Sequence, residues 1–252
     1  MPRGIYYREG SRVADSGTFA QTGDLGALPW IDRDLTKWQL YAYKNGNYKY
    51  TPGTYTMAGR DCWWRKDGGC TFCSWTVIYP QFQKRTPQDL LNEVEMLVEK
   101  YGVREIFDDT GTFPCGTFLQ EFCEGMLSRG LNKRVHIGCN MKPGILKPKD
   151  YALMGRANFR FILFGVESGC DETLVRLNKG NTVQDIRDAM KWAKEGGLEP
   201  HVTCMVGYPW ESLADAKKTI ALTKELFQKG YIDTLQATIC IPYAGTRLWK
   251  EC

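Results

Sequence analysis

From residue 54 onward, short apolar runs alternate with amphipathic stretches, and that alternation restricts the chain to a layered α/β fold. Runs at 55–58, 105–109, 135–139, 159–166, 202–206 and 235–241 read as strands. Thr86-Pro87-Gln88-Asp89 opens the first helix, with Thr as N-cap, Pro at the first helical position and Asp where a capping box wants an acid. Leu90, Val94, Leu97 and Tyr101 form its apolar stripe, and Gly102 ends it. A second helix runs through Phe118, Phe122 and Met126 to Gly130, and a short third covers 149–156. A fourth starts at Thr182 and Asp185 and stops at Gly196-Gly197; Ser212 and Asp215 cap a fifth that reaches Gly230. Six strands alternating with five helices predict right-handed βα units around a parallel sheet, a partial (β/α)6 barrel.

Residues 247–252 read as the start of a sixth helix, so the barrel is expected to lack its last helix. Residues 1–53 differ in character. They are rich in Gly, Tyr and Asp, with a hairpin-like piece at 5–10 and a turn at Leu28-Pro29, and read as an N-terminal extension on a core of 54–252. A chain of 252 residues, 43% hydrophobic and 25% charged, suffices for one large globular domain. It has no eighteen-residue apolar run and no apolar leader, so a cytoplasmic protein without a membrane partner is expected. The net charge of +4 gives only a weak lean toward anionic partners.

In a parallel barrel, ligands gather at the C-terminal ends of the strands. Asp108, Asp109, Thr110, Asn140, Glu167, Ser168, Gly207, Pro209, Pro242 and Tyr243 fall there. Capping of the following helices accounts for part of this set.

Ten cysteines are many for a chain with no sign of export, where thiols either fill cores or bind metal. Cys115, Cys123, Cys139, Cys170, Cys204, Cys240 and Cys252 are isolated and read as core fillers. Cys62-x7-Cys70-x2-Cys73 is different. Two thiolates separated by two residues can grip one metal centre, and Asp67-Gly68-Gly69 supplies the backbone freedom to fold Cys62 inward. A structural zinc site wants four closed ligands, and no Cys or His follows within forty residues of Cys73. His136 and His201 lie far along the chain in strands and read as core histidines. An electron-transfer iron–sulfur cluster normally takes four thiolates, so three leave one iron open to a substrate or cofactor. Trp63, Trp64 and Trp75 beside the loop either shield the centre or pack beneath it.

Across residues 54–247 the sequence resembles the radical S-adenosylmethionine (SAM) superfamily. Cys70-Thr71-Phe72-Cys73 resembles the second half of its cluster motif, including the aromatic residue before the last cysteine. Ile106-Phe107-Asp108-Asp109-Thr110 stands where the family holds the methionyl amino group. Phe164-Gly165-Val166-Glu167-Ser168-Gly169, followed by Leu174 and Lys179, resembles the segment whose Glu contacts the ribose. Met205-Val206-Gly207-Tyr208-Pro209 is similar to the glycine motif near the adenine, and Ile241-Pro242-Tyr243 to the sixth-strand ending. The spacing departs from the family in one place, with seven residues rather than three between the first two cysteines. The resemblance is closest to the branch with a cobalamin-binding domain and to the methylthiotransferases, and residues 24–34 look like the linker between those two domains. No Asp-x-His-x-x-Gly cobalamin motif occurs.

That resemblance implies a [4Fe-4S] cluster on Cys62, Cys70 and Cys73, with SAM chelated on the open iron. A reduced cluster would split SAM and generate a 5′-deoxyadenosyl radical that attacks an unknown substrate. Phe72, Asp108, Asp109, Thr110, Asn140, Glu167, Ser168, Lys179, Val206, Gly207 and Pro242 would surround SAM, with Asp109 on the ammonium and Glu167 on the ribose. A reductant such as flavodoxin or ferredoxin is implied. So, as alternatives, are methyl transfer with cobalamin from a separate domain or chain, and a non-enzymatic zinc module.

Overall fold

The six apolar runs pair edge to edge in the order in which the chain makes them. The computed structural model describes residues 3–17, 23–44 and 47–252. Strands β1 (Gly53–Thr56), β2 (Glu105–Asp108), β3 (His136–Met141), β4 (Phe159–Glu167), β5 (Glu199–Val206) and β6 (Thr234–Ile239) form one sheet in that spatial order. Every pairing is parallel. Helices α1 (Pro87–Tyr101), α2 (Thr117–Ser128), α3 (Pro148–Arg156), α4 (Val183–Glu195) and α5 (Leu213–Gln228) make the crossovers. The sheet is open: β1 and β6 are its two edges, and every residue of β6 is exposed.

The starts of the helices follow their caps. Thr86, Thr182 and Ser212 each accept from the backbone N–H three residues on. Asp185 closes a full capping box, whereas Asp89 turns outward to Arg85 and Trp30 and leaves its own box half made. Leu90, Val94 and Leu97 are fully buried, and Tyr101 packs edge-on against Trp38. Phe122, Met126, Tyr151, Ile186 and Met190 join Ile106, Ile137, Phe164 and Val202 in one continuous core between helices and sheet.

Two features depart from expectation. A six-residue helix at Asp171–Arg176 precedes α4. It is too short to show a helical period, and its Asp171 carboxylate is spent accepting from the Val183 N–H at 2.7 Å. Cys252 is exposed and so is no core filler, unlike Cys123, Cys139, Cys170, Cys204 and Cys240, which are buried. The terminal helix Arg247–Glu251 does begin as read, capped by Thr246 and with Leu248 buried. Among the described residues, no helix is long and apolar enough to cross a membrane.

Residues 1–2, 18–22 and 45–46 of the extension lie outside the described residues. The rest contains a hairpin, Tyr6–Glu9 with Arg12–Asp15, and a segment moored by charge. Arg33, 2% exposed, pairs with the buried Glu93 of α1 at 3.0 Å and donates to the Tyr55 carbonyl at 2.7 Å. Glu93 also takes bonds from Arg85 and from Thr56 at 2.9 Å. Breaking one partner out of a buried ion pair typically costs about 3–5 kcal/mol. Arg33→Met keeps the stem and removes the charge, so it should lower stability by about 3 kcal/mol, read as a lower urea midpoint at unchanged slope.

Candidate metal and cofactor site

The cysteine loop begins one turn after β1, and its extra residues are coiled away from the sulfurs. Trp63–Asp67 forms a 3₁₀ helix, and Gly68 and Gly69, at φ of +88° and +65°, reverse the chain so that Cys70 and Cys73 return toward Cys62. The loop is pinned on both flanks. The buried Asp61 carboxylate pairs with Arg65, which also donates to the carbonyls of Trp75 and Tyr79. On the other flank, Asn178 donates to the carbonyls of Asp67 and Gly69, each at 2.8 Å, while Trp64 donates its indole N–H to the Asn178 carbonyl at 2.7 Å. Arg247 caps the Gly68 carbonyl at 2.8 Å, and the Thr71 N–H donates to Leu177 at 3.0 Å. The seven-residue spacer is therefore docked on the segment Leu177–Gly180.

All three thiols line one cavity of about 270 Å³. Phe72 and Trp75 stand beside them; Asn140, Lys142, Glu167 and Lys179 face them from the ends of β3, β4 and the loop after. Among the described residues, no group of three or more His, Cys, Asp or Glu side chains is arranged to hold a metal ion. Burial pushes the Cys70 thiol up to about 11 and raises Cys73, so ionising them calls for a positive partner.

Gly111, in the loop after β2, makes room for Cys62. A Cβ there would lie 2.9 Å from the Cys62 Cβ and 3.1 Å from the Trp75 ring. Thr112 beside it accepts from the Cys62 thiol at 3.3 Å. Across the cavity, Glu167 ends β4 with φ +64°, a region that non-glycine residues rarely enter, where the β4–β5 register shifts. The kink turns its carboxylate onto the Lys179 ammonium at 3.1 Å, with both residues buried. Burial, the largest single effect, would lower Lys179; the Glu167 charge and hydrogen bond together with Cys70 and Cys62 make the net direction up.

Of the residues read from sequence, Cys62, Cys70, Cys73, Phe72, Asn140, Glu167 and Lys179 meet at the cavity. The others do not line it. Asp108 is buried, accepts from the N–H groups of Ala58 at 2.6 Å and Thr110 at 3.1 Å, and is pushed up to about 7 by burial. Thr110 accepts from Gly59 at 2.9 Å, so this pair ties β2 to the strand entering the cysteine loop. Asp109 is exposed and accepts from Asn140 at 3.3 Å. Ser168 is buried and accepts from Cys170 at 3.1 Å. The Val206 carbonyl accepts from Cys240 at 2.8 Å, Gly207 turns with φ +86°, and Pro242 is half-buried at the end of β6. Trp64 and Trp75 line the cavity, whereas Trp63 faces away beside Lys66. Lys142, Gly111 and Thr112 were not foreseen. For Lys142 a signal existed, because it directly follows β3 and so stands at the strand end where ligands gather.

A family model described as the radical SAM superfamily matches residues 59–223. An uncharacterised methyltransferase of Pyrococcus horikoshii is 27% identical over 98% of this chain and 51% of its own length. The anaerobic magnesium-protoporphyrin IX monomethyl ester cyclase of Cereibacter sphaeroides is 26% identical over 99% of the chain and 39% of its own length. The chain thus spans about half or less of the relatives it matches. In fold it is similar to the cobalamin-dependent SAM radical enzyme OxsB, with TM-score 0.73 at 16% identity over 99% of this chain and 40% of that one.

If the packing of Gly111 against Cys62 sets that sulfur's place, Gly111→Ala should lower iron and sulfide bound after anaerobic reconstitution several-fold while the far-UV spectrum stays unchanged. Full incorporation would show that Cys62 is free to shift.

Proposed function

We infer the function from one premise, that the chain belongs to the radical SAM superfamily, whose members are enzymes using a [4Fe-4S] cluster and SAM. We propose that Cys62, Cys70 and Cys73 hold the cluster and that the cavity they line receives SAM. The observation carrying this reading is the meeting of three thiols with Asn140, Glu167 and Lys179 in one cavity, with no fourth thiol on its walls among the described residues. When bound, the cluster and SAM supply one-electron cleavage of the sulfonium C–S bond.

The chain's own residues have distinct tasks in this reading. The three thiols ligate iron and leave one corner free. Glu167 presents carboxylate oxygens to hydroxyl donors, and Lys179 fixes their direction through the ion pair at 3.1 Å. Asn140, anchored on the Thr110 carbonyl at 3.1 Å and on Asp109, offers its amide to the polar end of the ligand. Phe72, Trp75, Met141 and Leu163 form apolar wall and exclude water from a reactive radical. Asp108 serves the scaffold, since its carboxylate is spent on two backbone donors away from the cavity.

Methyl transfer with cobalamin from a separate domain or chain is the second reading. It is favoured by the likeness to a relative described as a methyltransferase, and binding of added cobalamin to the purified protein tests it. Metal analysis of the anaerobically purified protein separates a zinc module, with zinc and no iron or sulfide, from both readings.

The test is anaerobic reconstitution, then dithionite and SAM, with 5′-deoxyadenosine as readout. Cys73→Ala should reduce product to background. Cys115→Ala should leave it near wild type, because this thiol lies outside the cavity and donates to the Phe113 carbonyl at 3.2 Å. Equal loss from both variants would overturn the assignment of ligands.

A further inference from the structure

Three cations line the cavity, and two of them are already matched. Arg65 is paired with Asp61, and Lys179 with Glu167, the one carboxylate on the cavity wall among the described residues. Lys142, 4% exposed, donates to the Gly180 carbonyl at 3.1 Å, and its ammonium lies 4.2 Å from the centre of the Trp64 ring. Among the described residues, no carboxylate reaches ion-pair distance of it. A buried ammonium with one carbonyl and one ring for company is poorly compensated. Of its three N–H donors, Gly180 takes one and the ring face borders another, so a donor is left for an occupant of the cavity.

The docked cysteine loop sets the place of that ammonium. Trp64 belongs to the spacer between Cys62 and Cys70, and its indole N–H is held by the Asn178 carbonyl at 2.7 Å. Its ring fills the space that a Cβ on Gly180 would occupy. The carbonyl and the ring that hold Lys142 thus come from one docked unit. Lys142 directly follows β3, and Asn140 within β3 lines the same cavity, so one strand end supplies both an ammonium and an amide.

SAM carries two positive groups, the sulfonium and the methionyl ammonium, and a single negative one, the carboxylate. The carboxylate calls for a donor, best a cationic one, and Lys142 is the cavity cation with capacity to spare. We propose that Lys142 is the residue that recognises the carboxylate of SAM. This rests on the reading that the cavity receives SAM. The contact is a charge-assisted hydrogen bond, about twice as strong as a neutral one.

The experiment measures equilibrium binding to the anaerobically reconstituted, oxidised protein, in which SAM is not cleaved. Wild type, Lys142→Met and Lys142→Gln are each titrated with SAM and with decarboxylated SAM, the weaker ligand being read by competition. Lys142→Met should weaken SAM about tenfold or more, the size of one lost hydrogen bond between charged groups. Decarboxylated SAM carries only positive charge, so it should bind as well or more tightly once the lysine is gone. Both ligands weakened alike would mark a packing effect and overturn the proposal. An unchanged affinity for SAM overturns it too. Lys142→Gln keeps a donor for Gly180 and takes over the test if the Met variant binds no iron; iron lost from both variants makes Lys142 structural and also overturns the proposal. A wild-type protein that binds no SAM, or holds no iron and sulfide, sinks the functional reading and this inference with it.

Discussion

The site depends on how seven residues between two cysteines are folded away without moving either sulfur. An exposed loop of that length would sample many conformations, and ordering it costs about 1–2 kcal/mol per residue in backbone entropy. Here the cost is offset by directed bonds. The Asn178 side chain grips two loop carbonyls, Arg247 takes another, and the Trp64 indole returns a bond to the Asn178 backbone. Asn178 itself sits at φ +54°, a left-handed conformation that asparagine tolerates better than most residues. The longer spacer is thus part of the scaffold, and its 3₁₀ turn gives Trp64 and Lys142 a surface on each other that a shorter loop would lack.

Docking couples two parts of the site that are far apart in sequence. The segment that receives the cysteine loop, Leu177–Gly180, also carries Lys179, whose ammonium fixes the Glu167 carboxylate. The docked loop and the carboxylate thus share one short stretch of backbone, two residues apart. Glu167 is held in a strained conformation at the end of β4, and such strain persists only where the surroundings over-determine it. The buried ion pair and the docked loop supply that determination from opposite sides.

Much of this was legible in the sequence, and the unread parts have physical causes. Strand and helix positions followed from period and from caps at Thr86, Thr182 and Ser212, which are local signals. The cysteine trio, Phe72, Asn140, Glu167 and Lys179 were readable because they sit at strand ends or in short motifs. The helix at Asp171–Arg176 is too short to show a period. The direction in which Asp108 points was also hidden: a strand-end carboxylate serves ligand or scaffold according to which backbone N–H groups lie within reach, and here two do. Gly111 matters only through a contact with Cys62, forty-nine residues earlier, which no local pattern encodes.

Charge explains why the cavity keeps two buried lysines. The wall carries Lys142, Lys179 and Glu167, and burial raises the Cys70 and Cys73 thiols beside them and lowers Lys142. Such an arrangement is unfavourable by itself, because buried charge is tolerated only when matched. If the thiols hold iron as proposed, they would do so as thiolates, and their negative charge would face cations already in place. The same balance opposes a neutral, purely apolar occupant, which would bury Lys142 further and offer it nothing. On the proposed reading the charge of the site is completed by its ligands, and what stabilises the protein itself is the scaffold around the cavity.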